Sequence, residues 1–207
     1  MKTIIFDMDG TLIDSSKAIC VTVNEVRREL GFKSDLSEEF IVRAINEVGR
    51  DLGKEFYGLN VINSKLRDGF EAKFKINYDK YARAYQGVDE LLKKCVEANY
   101  FVALASNAPH ETLKDILIKS NIYKYFNHII GASKDVPQKP DPTMINLLKD
   151  MGGFSRVLFV GDSYKDELAA INAKVSYINV CWGFGAKSKE AINIYDTQKA
   201  WQYIETL

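Results

Sequence analysis

Apolar residues along this chain gather into short runs separated by amphipathic stretches. Four runs are dense: TIIF at 3–6, YFVALA at 100–105, RVLFV at 156–160 and SYINVC at 176–181; HIIGA at 128–132 is a weaker fifth. Continuous rather than alternating hydrophobicity suits strands covered on both faces, as in a parallel sheet. Residues 87–98, 109–120, 142–151 and 164–173 have helical patterns, so strand and helix alternate as right-handed crossovers require. The pattern predicts an α/β fold.

Residues 15 to about 86 break the alternation. KAICVTVNEVRREL, SEEFIVRAINEV and KLRDGFEAKFKINYDKYARAY read as helices with no strand between them. This predicts a helical domain (15–86) inserted into a core formed by 1–14 and 87–207, with hinges near Asp14–Ser16 and Tyr85–Gly87. Phe40, Phe56, Phe70, Phe74 and Tyr81 recur at roughly helical spacing and are expected to form the core of the insertion.

Composition narrows the options. The 207 residues are 46% hydrophobic and 27% charged with zero formal net charge, which offers no field to attract nucleic acid or an anionic membrane. No apolar run approaches the ~18 residues of a membrane span, and the early Asp7 leaves no room for a signal-peptide core. Cys20, Cys95 and Cys181 lack CxxC spacing and sit among apolar neighbours, as small buried hydrophobes do. A cytoplasmic protein is expected, with a small-molecule ligand held locally; no residue pattern sets an oligomeric state.

The chemistry-bearing residues follow the apolar runs. Asp7 falls where the first run ends, Asp9 lies two residues on, Gly10 allows a tight turn and Thr11 offers a hydroxyl. In open α/β sheets ligands bind outside the carboxyl ends of the strands. VGDSYKD at 160–166 repeats the theme: a run ends in Gly161-Asp162, and Asp166 would lie in the first turn of the next helix. Carboxylates converging from two segments repel one another unless a cation intervenes. Mg²⁺ suits, since it accepts oxygen ligands while keeping waters and substrate phosphate.

Ser106 and Asn107 follow the second run, either as part of an anion seat or as caps of the next helix. Lys139 precedes Pro140, which holds it extended, and is either a placed charge or a solvated loop lysine. Asp141 can cap the following helix, and Asp14 caps the first helix of the insertion. Arg50, beside Gly49 and Gly53, either meets an anionic substrate or is an ordinary exposed cation. His110 reads as a surface residue, and Trp182 in CWGFGA as part of a turn at the site's rim.

Asp7-Met8-Asp9-Gly10-Thr11, Ser106, Lys139 and Gly161-Asp162 through Asp166, in this order, resemble the four motifs of the haloacid dehalogenase-like hydrolases, in particular the phosphoglycolate phosphatase-like branch. The resemblance implies a Rossmann-like three-layer core with a parallel sheet and a helical cap placed after the first motif. It also implies a Mg²⁺-dependent phosphatase. Asp7 would be the nucleophile, giving an aspartyl-phosphate; as a carboxylate it is expected to be ionised at pH 7. Asp9 would be the acid and base, its pKa raised by the neighbouring carboxylates. Asp7, the Asp9 carbonyl, Asp162 and Asp166 would serve the metal, and Ser106, Asn107, Lys139 and Thr11 the phosphate. Hexose phosphomutases of the β-phosphoglucomutase type share Asp9 but often carry E-D-S-x-A-G where this chain has Gly161-Asp162-Ser163-Tyr164-Lys165-Asp166. They stand as the alternative, together with a non-catalytic phosphate-binding relative.

Overall fold

The computed structural model describes all 207 residues. Its elements in chain order are β1 (Thr3–Phe6), β2 (Ile13–Asp14), α1 (Ser16–Glu29), α2 (Glu38–Asn46), α3 (Leu52–Tyr57), α4 (Ser64–Tyr81), β3 (Arg83–Ala84), α5 (Val88–Glu97), β4 (Phe101–Pro109), α6 (His110–Lys119), a short 3₁₀ turn (Tyr123–Tyr125), β5 (His128–Ala132), α7 (Thr143–Gly152), β6 (Val157–Gly161), α8 (Tyr164–Ala173), β7 (Ser176–Val180), β8 (Ile192–Ile194) and α9 (Thr197–Thr206).

Six strands form one sheet in the order β5-β4-β1-β6-β7-β8, every neighbouring pair parallel. All four residues of β1 are buried, as a central strand covered on both faces must be. Ile4, Phe6, Val102, Leu104, Leu158 and Val160 face one layer, packing with Leu91 and Leu92 of α5, Leu113 and Leu117 of α6, and Ile204 of α9. Ile5, Ala103, Ala105 and Phe159 face the other, against Met144, Ile145 and Leu148 of α7 and Ala169 and Ala170 of α8. The result is a three-layer α/β core. The chain runs from β1 outward to β4 and β5, then returns to the other side of β1 with β6, so the carboxyl end of β1 lies where the strand order reverses.

Helices α1–α4 occupy the stretch between β2 and β3, which pair antiparallel where the chain leaves and rejoins the sheet region. Cys20, Val23, Val26, Ile41, Val42, Ala44, Phe56 and Tyr57 form a separate apolar cluster there. Phe40, Phe56 and Phe70 belong with this cluster, as expected. Phe74 and Tyr81 do not: together with Tyr78 they pack against the main core, because the last turns of α4 descend toward β3. The helical insertion also contains α3, a single short helix capped by Asp51, whose side chain accepts from the Lys54 amide.

Candidate active site

Each strand end supplies one part of the site. Asp7 follows directly on β1, and its amide donates to the Val160 carbonyl at 2.9 Å, so the β1–β6 pairing sets its position. Asp162 follows β6 in the same way. Gly10 has a φ of 86°, and a Cβ there would stand 2.2 Å from Asp162 Oδ2, so the tight turn of the first motif and its approach to Asp162 both require glycine. Ser163 caps α8 reciprocally with Asp166: its amide and hydroxyl donate to Asp166 Oδ2 at 3.1 and 2.6 Å, while its Oγ accepts from the Asp166 amide. Carboxylate oxygens of Asp7, Asp162 and Asp166 all lie within 4.8 Å of one another, and all three residues are buried.

Lys139 enters this group from the loop after β5. Its ammonium donates to Asp7 Oδ1 at 2.5 Å and to the Ala105 carbonyl at 2.8 Å, and lies 2.7 Å from Asp166 Oδ1. It is 4% exposed, which removes the solvated-loop reading. Burial works against its charge, but the carboxylates of Asp166 and Asp7 offset this and raise its pKa. One ammonium still faces three acids. Burial first, opposed by Lys139 and assisted by Asp166, pushes the Asp7 carboxyl up to about 7. Asp162 is driven well above the ordinary range by burial and by Asp7. The expectation of a freely ionised Asp7 at pH 7 therefore needs correction for the metal-free site. Asp162 Oδ2 is moreover a buried oxygen with no hydrogen-bond partner. An orphaned acceptor within an excess of negative charge fits a hard divalent cation.

Asp9 is placed differently. Its carboxyl lies outside the cluster of Asp7, Asp162 and Asp166, and Oδ1 accepts from the Tyr78 hydroxyl of α4 at 2.8 Å. Its pKa is raised by burial, against the Tyr78 hydroxyl and the charge of Lys139; the buried Ser15 hydroxyl is close by but makes no hydrogen bond to it. The expected cause, crowding by other carboxylates, acts on Asp7 and Asp162 instead. The Tyr78 phenol is itself lifted well above its usual value, by burial and then by Asp9, so it remains a donor.

The remaining donors divide. Ser106 is 1% exposed, where β4 shifts register against β5, and its Oγ accepts from the Ala108 amide at 3.1 Å, leaving the hydroxyl proton free to donate. Neither Ser106 nor Asn107 caps α6, whose N-cap is Pro109. Asn107 bonds both backbone groups of Lys139, accepting from its amide at 2.7 Å and donating to its carbonyl at 3.1 Å. Thr11 directs its hydroxyl to Asp162 Oδ1 at 3.4 Å. These two side chains, expected at the phosphate, make their hydrogen bonds within the chain to Lys139 and Asp162. Arg50 is held by Glu47 at 2.6 Å and by Glu55, and its guanidinium lies over Phe40, so its charge is already matched. Asp141 accepts from the Thr143 amide and Asp14 from the Ser16 amide, each two residues on, but the N-cap positions of α7 and α1 are Pro142 and Ser15, so neither aspartate is the helix cap expected. His110 Nδ1 accepts from the Gly131 amide at 3.2 Å, tying α6 to β5.

Two features, Tyr78 and Lys165, have no counterpart in the sequence reading, and a third, the turn of CWGFGA expected at the rim, comes closer to the site than expected. At Gly183 and Gly185 a Cβ would sit 1.7 Å from the Gly10 and Asp162 carbonyl oxygens respectively. Trp182 in the same loop donates from its indole to the Thr11 carbonyl at 2.9 Å. Lys165 donates to the Ile45 carbonyl at the end of α2 at 2.7 Å, spanning from α8 to the insertion.

The sequence profile of the haloacid dehalogenase-like hydrolases matches residues 4–180. The chain belongs to this family. It is 31% identical over 196 residues to a phosphoglycolate phosphatase of Vibrio vulnificus, an alignment covering 89% of this chain and 85% of that one. Its fold is similar to that of a predicted phosphoglycolate phosphatase of Haemophilus somnus, with a TM-score of 0.82 at 22% identity, covering 99% of this chain and 98% of the other. It is likewise similar to a HAD family hydrolase of Deinococcus radiodurans solved with bound phosphate and sodium, with a TM-score of 0.78 at 18% identity, covering 99% and 95%. The family member described here is thus a hydrolase of the phosphoglycolate phosphatase-like branch.

Proposed function

We propose that this chain, a phosphatase of the haloacid dehalogenase-like family, hydrolyses a small phosphate monoester with Mg²⁺ through an aspartyl-phosphate on Asp7. The observation that carries the reading is the pairing of Asp7 with Lys139 beside Asp162 and Asp166, at the carboxyl end of the central strand. Lys139 engages Oδ1 of Asp7, and the other oxygen takes no hydrogen bond within the chain. That oxygen is the one to attack phosphorus.

As the Asp7 oxygen bonds to phosphorus, the bond from phosphorus to the ester oxygen breaks, and Asp9 gives its proton to the departing oxygen. Asp9, now ionised, takes a proton from water, which attacks the same phosphorus and frees Asp7 with inorganic phosphate. Ser106 and Lys139 donate to the phosphoryl oxygens, where charge accumulates. Asp7 and Asp162 would hold Mg²⁺ with the main-chain oxygen of Asp9, and the bound ion neutralises the carboxylates and the phosphoryl group. Asp166, whose oxygens are engaged by Lys139 and Ser163, acts as a brace behind them.

Residues 15–86 would act as the cap that selects the ester's alcohol. Lys165 reaching Ile45, and Lys119 pairing with Asp79 at 2.5 Å, join it to the core. Phosphoglycolate is the first ester to test, given the named relatives. No helix is long and apolar enough to cross a membrane, and cytoplasmic residence is our reading from the three free cysteines.

The test is phosphate release from phosphoglycolate, hexose phosphates and nucleoside monophosphates, with Mg²⁺ and with chelator. Metal-dependent release concentrated on one ester supports the proposal. Transfer between two positions of a hexose phosphate without release would favour the mutase, and release unaffected by chelator would refute the metal assignment.

A further inference from the structure

An acid that serves a leaving group must present one defined oxygen, and the means of doing so for Asp9 comes from 69 residues away in sequence. Tyr78 lies in the last turn of α4, is 6% exposed and packs in the main core cluster with Met8, Leu12 and Ile13. Phe74, one turn earlier, meets its ring edge-on with centroids 5.3 Å apart. The ring is therefore fixed, and its hydroxyl delivers a hydrogen bond to Asp9 Oδ1 from a rigid base.

We propose that Tyr78 is a positioning residue for the acid–base step, fixing Asp9 Oδ1 so that Oδ2 is the oxygen that passes the proton to the leaving group. This rests on the reading of Asp9 as the acid. The proton moves from Asp9 Oδ2 to the ester oxygen as the phosphorus–oxygen bond breaks and the bond to Asp7 forms; Tyr78 keeps its own proton throughout. In this role Tyr78 acts through its hydrogen bond to Asp9.

Leaving-group chemistry separates this role from packing. An alkoxide leaves only with a proton, whereas p-nitrophenolate leaves without one, so an acid's positioning affects only the alkyl ester. The experiment compares wild type, Tyr78→Phe and Asp9→Asn in single-turnover release of the leaving group with Mg²⁺, from phosphoglycolate and from p-nitrophenyl phosphate. Tyr78→Phe is expected to slow release from the alkyl ester about 10- to 100-fold while changing the aryl ester and the alkyl KM less than about 3-fold. The ratio of the two rates, taken on one sample, is independent of the folded fraction. An unchanged ratio, whether both rates hold or both fall together, overturns the proposal. If Asp9→Asn cleaves the alkyl ester at the wild-type rate, the acid assignment itself fails, and that result is distinct from failure of Tyr78 alone.

Discussion

Removing divalent cations leaves Asp7, Asp162 and Asp166 with only Lys139 to balance them, and the cost should rise with pH. Asp7 moves from 3.8 to about 7 on folding. A group whose folded pKa is raised binds its proton more tightly in the folded chain, so the stability it contributes is complete below the unfolded value and is lost as pH rises through the folded one. A shift of about 3 units at 1.36 kcal/mol each makes the full effect about 4 kcal/mol, of which roughly 2.5 kcal/mol falls between about pH 5 and 8. For a chain of this size that lowers Tm by about 5–10 °C. The acids with lowered pKa, Glu55, Glu90 and Asp141, finish titrating below this window. The assay is thermal melting in chelator across that range, repeated with saturating Mg²⁺ and in Asp7→Asn. The fall should appear in chelator, be largely absent with Mg²⁺, and be smaller in Asp7→Asn, where the raised acids Asp162 and Asp9 still titrate. A chelated wild-type Tm that is flat, or that rises with pH, would refute the electrostatic account of the cluster.

Lys139→Met leaves the buried carboxylates without their ammonium and should cost about 3–5 kcal/mol by denaturant titration in chelator, with turnover lost even when Mg²⁺ restores stability. Gly185→Ala places a Cβ against the Asp162 carbonyl, and is expected to weaken Mg²⁺ affinity by calorimetry at least about 10-fold by displacing Asp162. Arg50→Ala should change kcat/KM less than about 2-fold on any ester the enzyme accepts, because Glu47 and Glu55 already hold its charge.

Much of the fold can be read directly from the chain because its central strands are buried on both faces and so appear as dense apolar runs. β8 and α9 escape that reading for the same reason inverted. Ile192 is 50% exposed, and α9 buries only Ala200 and Ile204 fully, so neither presents a run or a wide stripe. α3, six residues long, is too short to display periodicity. Within the site, Asp7, Asp162, Asp166 and Lys139 are legible because each is tied to a strand end or a proline-fixed loop. Asn107 and Thr11 carry equally plausible side chains, but their partners are chosen by local geometry: the Lys139 backbone for one, Asp162 for the other. The Asp9 pKa is raised as expected but by burial rather than by neighbouring acids, while the crowding acts on Asp7, which lies between Lys139, Asp162 and Asp166. Tyr78 sits in a stripe with Phe70 and Phe74, and no local feature marks it as the residue that reaches Asp9.

The most direct test of the central claim is an acid-quenched single turnover of the preferred ester with Mg²⁺, followed by mass analysis of the peptides. The account predicts that the peptide containing Asp7 gains the mass of one phosphoryl group, that fragmentation places it on Asp7, and that Asp7→Asn shows none. Turnover with no labelled peptide, or a phosphoryl group on another residue, would contradict nucleophilic attack by Asp7.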